Sequence, residues 1–207
     1  MGFTRDVKLE LVTVPPGAEH CRRAQLSGVL FGAGTFELGA GGHFAVRISV
    51  AHPAVARHVL ALLKPLQADA QLRTVESAPV GLRYEVLLGD EGRSLQVLNE
   101  VGVLSDDLAV QMTAPRRLLE RHCCVVAFLR GLFLGCGSMS APGSPVHAEF
   151  TMESEGFAEQ VQRLLARLDL PFSLKSRERN VACYTKRGQT AADLLAVLGA
   201  HDSCLRW

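Results

Sequence analysis

Three groups of residues in this sequence have the types and spacing to do chemistry. His147 and Glu149 form an H-x-E on one strand face, half of the motif by which nucleobase deaminases hold and use a zinc-bound water. The P-C-x-x-C half is missing, so the two read as a solvent-facing strand pair. Gly32-Ala-Gly34-Thr35 and Gly135-Cys-Gly137-Ser138 have the glycine content of phosphate loops. Neither follows a strand and opens a helix, and no G-K-[ST] occurs, so no nucleotide site is expected. Cys21, Cys123, Cys124, Cys136, Cys183 and Cys204 fall in helices and strands with no C-x-x-C pair. That spacing points to neither zinc ligation nor a thioredoxin-type redox site; buried thiols, with no metal and no cofactor, are the expectation.

The basic side chains carry more. Phe44, Val46, Ile48 and Val50 alternate along a strand, which turns His43, Arg47 and Ser49 to the opposite face. Lys175, Arg177 and Arg179 alternate likewise, and Arg73, Arg83 and Lys186 join them. A face lined with these seven Arg and Lys side chains grips phosphates, the contact that positions a protein on DNA without reading its sequence. Glu85, Glu149 and Glu178 interrupt the set, and the stretch from Glu85 to Asp107 holds six acids against Arg93 alone. A solvated charged face that touches no DNA is therefore an equal reading. Arg116, Arg117, Arg121 and Arg130 form a second basic cluster, expected to solvate the exposed side of a helix.

The elements that must position these groups are bounded by the chain itself. Its 207 residues make one large domain or two small ones. With 48% hydrophobic and 21% charged residues, a disordered tail, a coiled coil and a collagen-like chain are excluded. Twenty-two Lys and Arg against 21 Asp and Glu give +1, which excludes nucleic-acid binding by bulk charge and leaves only a local basic face. The apolar run from Cys123 to Phe128 is stopped by Arg130, far short of the roughly 20 residues that span a bilayer. Met1 to Asp6 lacks an apolar signal core, and Asp6 stands where a myristoylation motif wants Ser or Thr. A cytoplasmic protein without a membrane partner is expected.

A repeat organises the chain. Shifting by 103 positions lays Leu26-Ser-Gly28-Val-Leu-Phe-Gly32-Ala-Gly34 over Leu129-Arg-Gly131-Leu-Phe-Leu-Gly135-Cys-Gly137, and a shift of 97 lays Leu98 on Leu195 and Gly102 on Gly199. Each copy reads helix, strand, strand, helix, strand, strand, helix. In the first, the helices run from Cys21 to Gly34, Pro53 to Leu66 and Ser94 to Val101, with strands at His43 to Val50, Leu72 to Ser77 and Leu82 to Leu88. In the second, the helices run from Arg116 to Gly137, Ser154 to Leu168 and Thr190 to Leu198, with strands at Val146 to Met152, Leu174 to Arg179 and Val181 to Lys186. The copies occupy 1–104 and 116–207, with 105–115 as linker. Glycine inside a helix costs about 1 kcal/mol relative to alanine, so Gly28 with Gly32, and Gly131 with Gly135, need a reason: four apart, they form faces on which two helices approach closely across a pseudo-twofold axis.

Two such copies joined through glycine-containing helices resemble the LAGLIDADG homing endonuclease fold: α+β, a tandem pseudo-twofold repeat whose two antiparallel sheets form a saddle. In that family the catalytic acid precedes the helix's final glycine. The matching positions here are Ala33 and Cys136, so the resemblance implies a site without its metal-binding carboxylates and no nuclease activity; Glu37 is the one nearby acid. Cys123-Cys124, Ala127-Phe-Leu-Arg-Gly-Leu-Phe-Leu, Gly137-Ser-Met-Ser, His147-Ala-Glu-Phe, Tyr184-Thr-Lys and Asp193-Leu-Leu-Ala-Val-Leu-Gly-Ala-His201 are similar to the WhiA family of bacterial regulators of sporulation and cell division. Ala24-Gln-Leu-Ser-Gly28 and Val55 to Lys64 agree in the first copy. The resemblance implies a monomeric, non-enzymatic transcriptional regulator that binds DNA, a protein such as a sigma factor, or both; a pure protein scaffold and an active endonuclease are the alternatives. Family members continue into a helix-turn-helix domain, so the chain is expected to be a fragment.

Overall fold

Apolar on nearly every side, the stretches around Leu26 and Leu129 form the two central helices, α2 (Glu19–Ala33) and α5 (His122–Cys136). A helix with no broad polar stripe must be covered all round, and Leu26, Val29, Phe128, Leu129 and Leu132 have no exposed surface. The structure, a computed structural model, describes residues 2–38, 44–77, 81–89 and 93–207. Glycine sets the approach of the two helices. A Cβ on Gly28 would fall 2.0 Å from the carbonyl oxygen of Phe128, and one on Gly131 would fall 1.9 Å from that of Gln25. One on Gly135 would stand 2.9 Å from the carbonyl carbon of Gly32. Only hydrogen fits at these crossings.

Each central helix passes directly into a strand through Gly34 or Gly137, both extended. The first copy continues β1 (Gly34–Leu38), β2 (Phe44–Val50), α3 (Pro53–Leu63), a 3-10 turn (Lys64–Leu66), β3 (Ala70–Ser77), β4 (Gly81–Leu88) and α4 (Ser94–Glu100). The second continues β5 (Gly137–Met139), β6 (Ala148–Met152), α6 (Glu155–Ala166), β7 (Ser173–Ser176), β8 (Val181–Thr185), α7 (Gly188–Leu198) and α8 (His201–Arg206). The sheets have matching antiparallel orders, β1-β2-β4-β3 and β5-β6-β8-β7. Alternation puts Val46, Ile48, Val50, Val86 and Leu88 against the helices in one sheet and Ala148, Phe150, Met152 and Cys183 in the other. The opposite faces form the saddle. Helix starts follow local chemistry: Pro53 occupies the first turn of α3 behind His52, whose Nδ1 accepts from the Ala54 amide, and Ser154 caps α6 by accepting from Phe157.

The fold class is the one the repeat implies, with local differences. The helix expected from Arg116 is a 3-10 turn (Arg116–Leu118) followed by an extended Arg121 that opens α5 at His122. Arg167 donates to the carbonyls of Leu119 and Glu120, which holds the chain open there. Strand β7 ends at Ser176, so Arg177 and Arg179 lie in the β7–β8 turn rather than alternating along a strand. That turn closes on Asn180, whose carbonyl accepts from the Arg177 amide. His43 lies outside the described residues.

A further helix, α1 (Phe3–Leu11), buries Phe3, Val7 and Leu11 on one stripe. It packs largely on the second copy. Phe3 lies 5.6 Å, ring to ring, from Trp207, and Thr4 Oγ1 both donates to the Met139 carbonyl and accepts from its amide. Glu10 accepts from the amides of Asp202 and Ser203 at the start of α8. Burial alone would raise the Glu10 pKa, but those hydrogen bonds and the one from the Ser203 hydroxyl outweigh it and hold the carboxyl below its ordinary range.

Candidate nucleic-acid interface

Where α2 and α5 end, a groove of about 580 Å³ opens between the sheets, floored by Ala33, Gly34, Gly135 and Cys136. Arg83 and Ser49 of the first sheet line it, as do Thr151, Arg179 and Asn180 of the second and Val110 to Met112 of the linker. Glu153 is the one acid among its lining residues. The side chain of Glu37 lies outside the described residues. Ala33 offers no ligand, and burial pushes the Cys136 thiol up to about 12, with Lys8 acting against that rise. A neutral, soft thiol is a poor ligand for magnesium or manganese.

A lysine stands beside this floor. Lys8 Nζ, carried there by α1, lies 3.5 Å from the Gly135 carbonyl at the end of α5, where the helix dipole favours a cation. Burial lowers its pKa to about 8; Cys136 opposes that shift and Arg83 adds to it. The amine thus lies next to Cys136, in a neighbouring cleft that Lys8 lines with Arg83 and Gly135. Nothing in the spacing of the chain pointed to Lys8, because α1 belongs to no repeat.

The first sheet's arginines are engaged with their neighbours. Glu85, nearly buried, receives Arg73 Nε at 2.7 Å and Arg47 Nη1 at 3.4 Å. Register explains the triad: Arg73 stands directly opposite Glu85 across β3 and β4, and Arg47 lies diagonally on β2. Arg83 donates to the hydroxyl and carbonyl of Ser49, which fixes it at the rim of the groove.

The second sheet differs. Gly34 pairs with Ile48 and Gly137 with Phe150, so Arg47 and Glu149 hold equivalent places with opposite charge. Glu149 accepts from Arg177 at 2.7 Å and His147 at 2.9 Å. Burial alone would raise its pKa; those two hydrogen bonds win and hold the carboxyl below its ordinary value. The H-x-E pair is therefore a part-buried contact at the start of the β6 strand, joined by Arg177 and with His147 stacked 5.8 Å from Tyr184, rather than a solvated strand pair. Lys175, in the place equivalent to Arg73, faces Ala182 instead of an acid. Lys175, Arg179 and Lys186 are exposed and make no hydrogen bond or ion pair among the described residues. Arg130 is not at the surface of its helix as expected: its Nε donates to the Leu198 carbonyl at 2.6 Å, capping the end of α7.

Residues 19–104 match the model of the WhiA N-terminal LAGLIDADG-like domain, and residues 125–207 that of the WhiA LAGLIDADG-like domain. The probable cell division protein WhiA of Syntrophomonas wolfei is 30% identical over 212 residues, covering 100% of this chain and 67% of that protein. The chain belongs to the WhiA family. Among solved structures it is similar to the N-terminal LAGLIDADG domain of DUF199/WhiA (TM-score 0.74, 20% identity, 95% of this chain and 90% of that one). It is also similar to I-DmoI in complex with DNA and Mn (TM-score 0.61, 15% identity, 88% and 98%). The WhiA match spans about two thirds of the length of its curated relatives. No helix among the described residues is long and apolar enough to cross a membrane.

Proposed function

We propose that this WhiA chain is a catalytically inactive, DNA-positioning saddle, a monomeric cytoplasmic unit of a transcriptional regulator of sporulation and cell division. Its two copies, 1–104 and 116–207, each supply one wall. The observation that carries this reading is the groove itself: Arg83 on one wall and Arg179 on the other flank a floor of Ala33 and Cys136. Cutting a phosphodiester on this scaffold requires carboxylates that hold divalent metals. Here cations occupy the walls, so a phosphate can be held but no water is activated. Lys175, Lys186 and Arg177 extend the contact along the second sheet, and Arg47 and Arg73 along the first once they share their charge with a phosphate.

A salt titration tests this. Duplex binding should weaken steeply with salt, and converting Lys175, Arg177, Arg179 and Lys186 to alanine should shallow the log–log slope by about 0.9 for each phosphate no longer neutralised. An unchanged affinity and slope would move the function to a second reading, a protein-docking saddle for a partner such as a sigma factor. Val110 and Met112, exposed apolar residues in the groove, together with the neutralised Glu85 and Glu149 sites, favour that alternative.

A further inference from the structure

At the end of α2 and α5 away from the groove, four side chains with metal-ligand chemistry meet. His20 and Cys21 lie in the first turn of α2, Cys123 and Cys124 in the first turn of α5. The 103-residue shift that relates the copies carries His20 onto Cys123 and Cys21 onto Cys124. The pseudo-twofold axis therefore brings two neighbouring pairs into one cluster of four. Their donor atoms all lie within 4.8 Å of one another. His20 Nδ1 faces all three sulfurs, 3.2 Å from Cys124, 3.3 Å from Cys21 and 4.0 Å from Cys123. With Zn–S near 2.3 Å and Zn–N near 2.0–2.1 Å, the corners of a tetrahedral site stand roughly 3.5–3.8 Å apart, so closing on a cation needs shifts of about an ångström or less.

The surroundings fit that charge. Both helices present unsatisfied N–H groups and the positive ends of their dipoles to the cluster, which favours thiolate. Arg23, Arg117 and Arg121 line the adjoining cleft of about 510 Å³ together with Glu19, Glu100 and Glu120, Arg23 being paired with Glu19 and Glu100, and Arg130 feels the charge of Cys21. Three thiolates and a neutral imidazole around a divalent ion leave one net negative charge, which the two helix N-termini face. Cys21 and Cys124 are buried and Cys123 is exposed, giving an anchored site with an open approach.

We propose that His20, Cys21, Cys123 and Cys124 form a tetrahedral zinc site that clamps the two copies together at the start of the central helices. On binding, each of the three thiols gives its proton to solvent as its sulfur lone pair bonds the metal, and His20 binds through Nδ1 with its proton on Nε2; no electron is transferred. Soft donors select zinc over magnesium or manganese. This site is independent of the saddle reading, since it lies at the opposite helix ends. The cysteine spacing pointed away from zinc because that inference looked for ligands close in sequence, whereas these come from positions 103 apart.

The test is a titration of the reduced, chelator-stripped chain with cobalt(II). One equivalent should produce the intense visible bands of tetrahedral cobalt with sulfur-to-cobalt charge transfer. One equivalent of zinc should bleach them and raise the melting temperature. Cys123→Ser, at the exposed corner, should lower affinity by about 100-fold or more, the upper end of what losing even an outer support of a metal site costs. Cys204→Ser, outside the cluster, should leave it unchanged. Should Cys123→Ser misfold, alkylation of the wild-type chain reads the same claim: zinc should slow modification of Cys123 more than tenfold. A cobalt spectrum without charge transfer, equal losses in both variants, or zinc-independent alkylation of Cys123 would each overturn the proposal.

Discussion

The two ends of the central helix pair carry opposite chemistry on one scaffold. At the C-terminal end, the symmetry-related positions are Ala33 and Cys136, with Lys8 beside them and arginines on the groove walls. At the N-terminal end they are His20 with Cys123 and Cys21 with Cys124, all four donors converging. A pseudo-twofold axis doubles whatever a position carries, so a ligand near it comes close to its counterpart and makes half a metal site at once. The same doubling leaves no half-site where both copies lack a donor. Neither Ala33 nor Cys136 supplies a carboxylate at one end, soft-ligand geometry is present at the other, and the glycine crossing lies between them.

That crossing gives the largest expected effect. Gly131→Ala puts a Cβ 1.9 Å from the Gln25 carbonyl oxygen, backbone against backbone, so it should cost about 3 kcal/mol or more, the upper range for overpacking. Chemical denaturation measures this, and an unchanged midpoint would mean that the helices do not cross as described. At the groove end, Lys8 gives the next effect. Its folded pKa of about 8 lies below its ordinary 10.5, so the unfolded chain binds more protons between those values and Lys8 by itself adds stability as pH rises, by about 1 kcal/mol from pH 8 to 9. The buried thiols of Cys136 and Cys183, pushed up to about 12, act in the opposite direction from about pH 8 upward, where unfolded thiols begin to ionise. Lys8→Met should remove that contribution, so from pH 8 to 9 the variant should lose about 1 kcal/mol relative to the parent chain, and an identical pH profile in the variant would show that another group titrates there.

Smaller effects separate the two walls of the saddle. Glu85→Gln together with Glu149→Gln releases Arg47, Arg73 and Arg177 from their carboxylates, so duplex affinity should increase severalfold and the salt slope should steepen. A fall in affinity would show that the carboxylates position the arginines for contact. Gly156→Ala is the counterpart of the crossing glycines. Its Cβ would meet only Ser154 Oγ, at 4.0 Å, and alanine in that exposed turn of α6 should stabilise by about 0.5–1 kcal/mol.

Much of the architecture was legible because it is written in periodicity. The alternation of Val46, Ile48 and Val50 and the four-residue spacing of Gly28 with Gly32 and of Gly131 with Gly135 are backbone-level signals that packing obeys. Sites were less legible because their partners are distant in sequence. Arg73 reads as a free saddle cation until register sets Glu85 opposite it, and Lys8 arrives on a helix outside the repeat. Arg130 reads as surface charge until the Leu198 carbonyl captures it. The four-ligand cluster was hidden for the same reason, though its signal was present: the shift that aligned the glycines also aligns His20-Cys21 with Cys123-Cys124.

Whether the saddle holds DNA without cutting it is decided by one gel. Supercoiled plasmid is incubated at low salt with increasing amounts of the chain, in magnesium or manganese, with a chelator lane beside each. A saddle of this kind should retard the plasmid progressively and leave it supercoiled after the protein is removed, in every metal. Chelator-sensitive nicking that increases with the amount of chain would contradict it, and so would unretarded plasmid at every concentration.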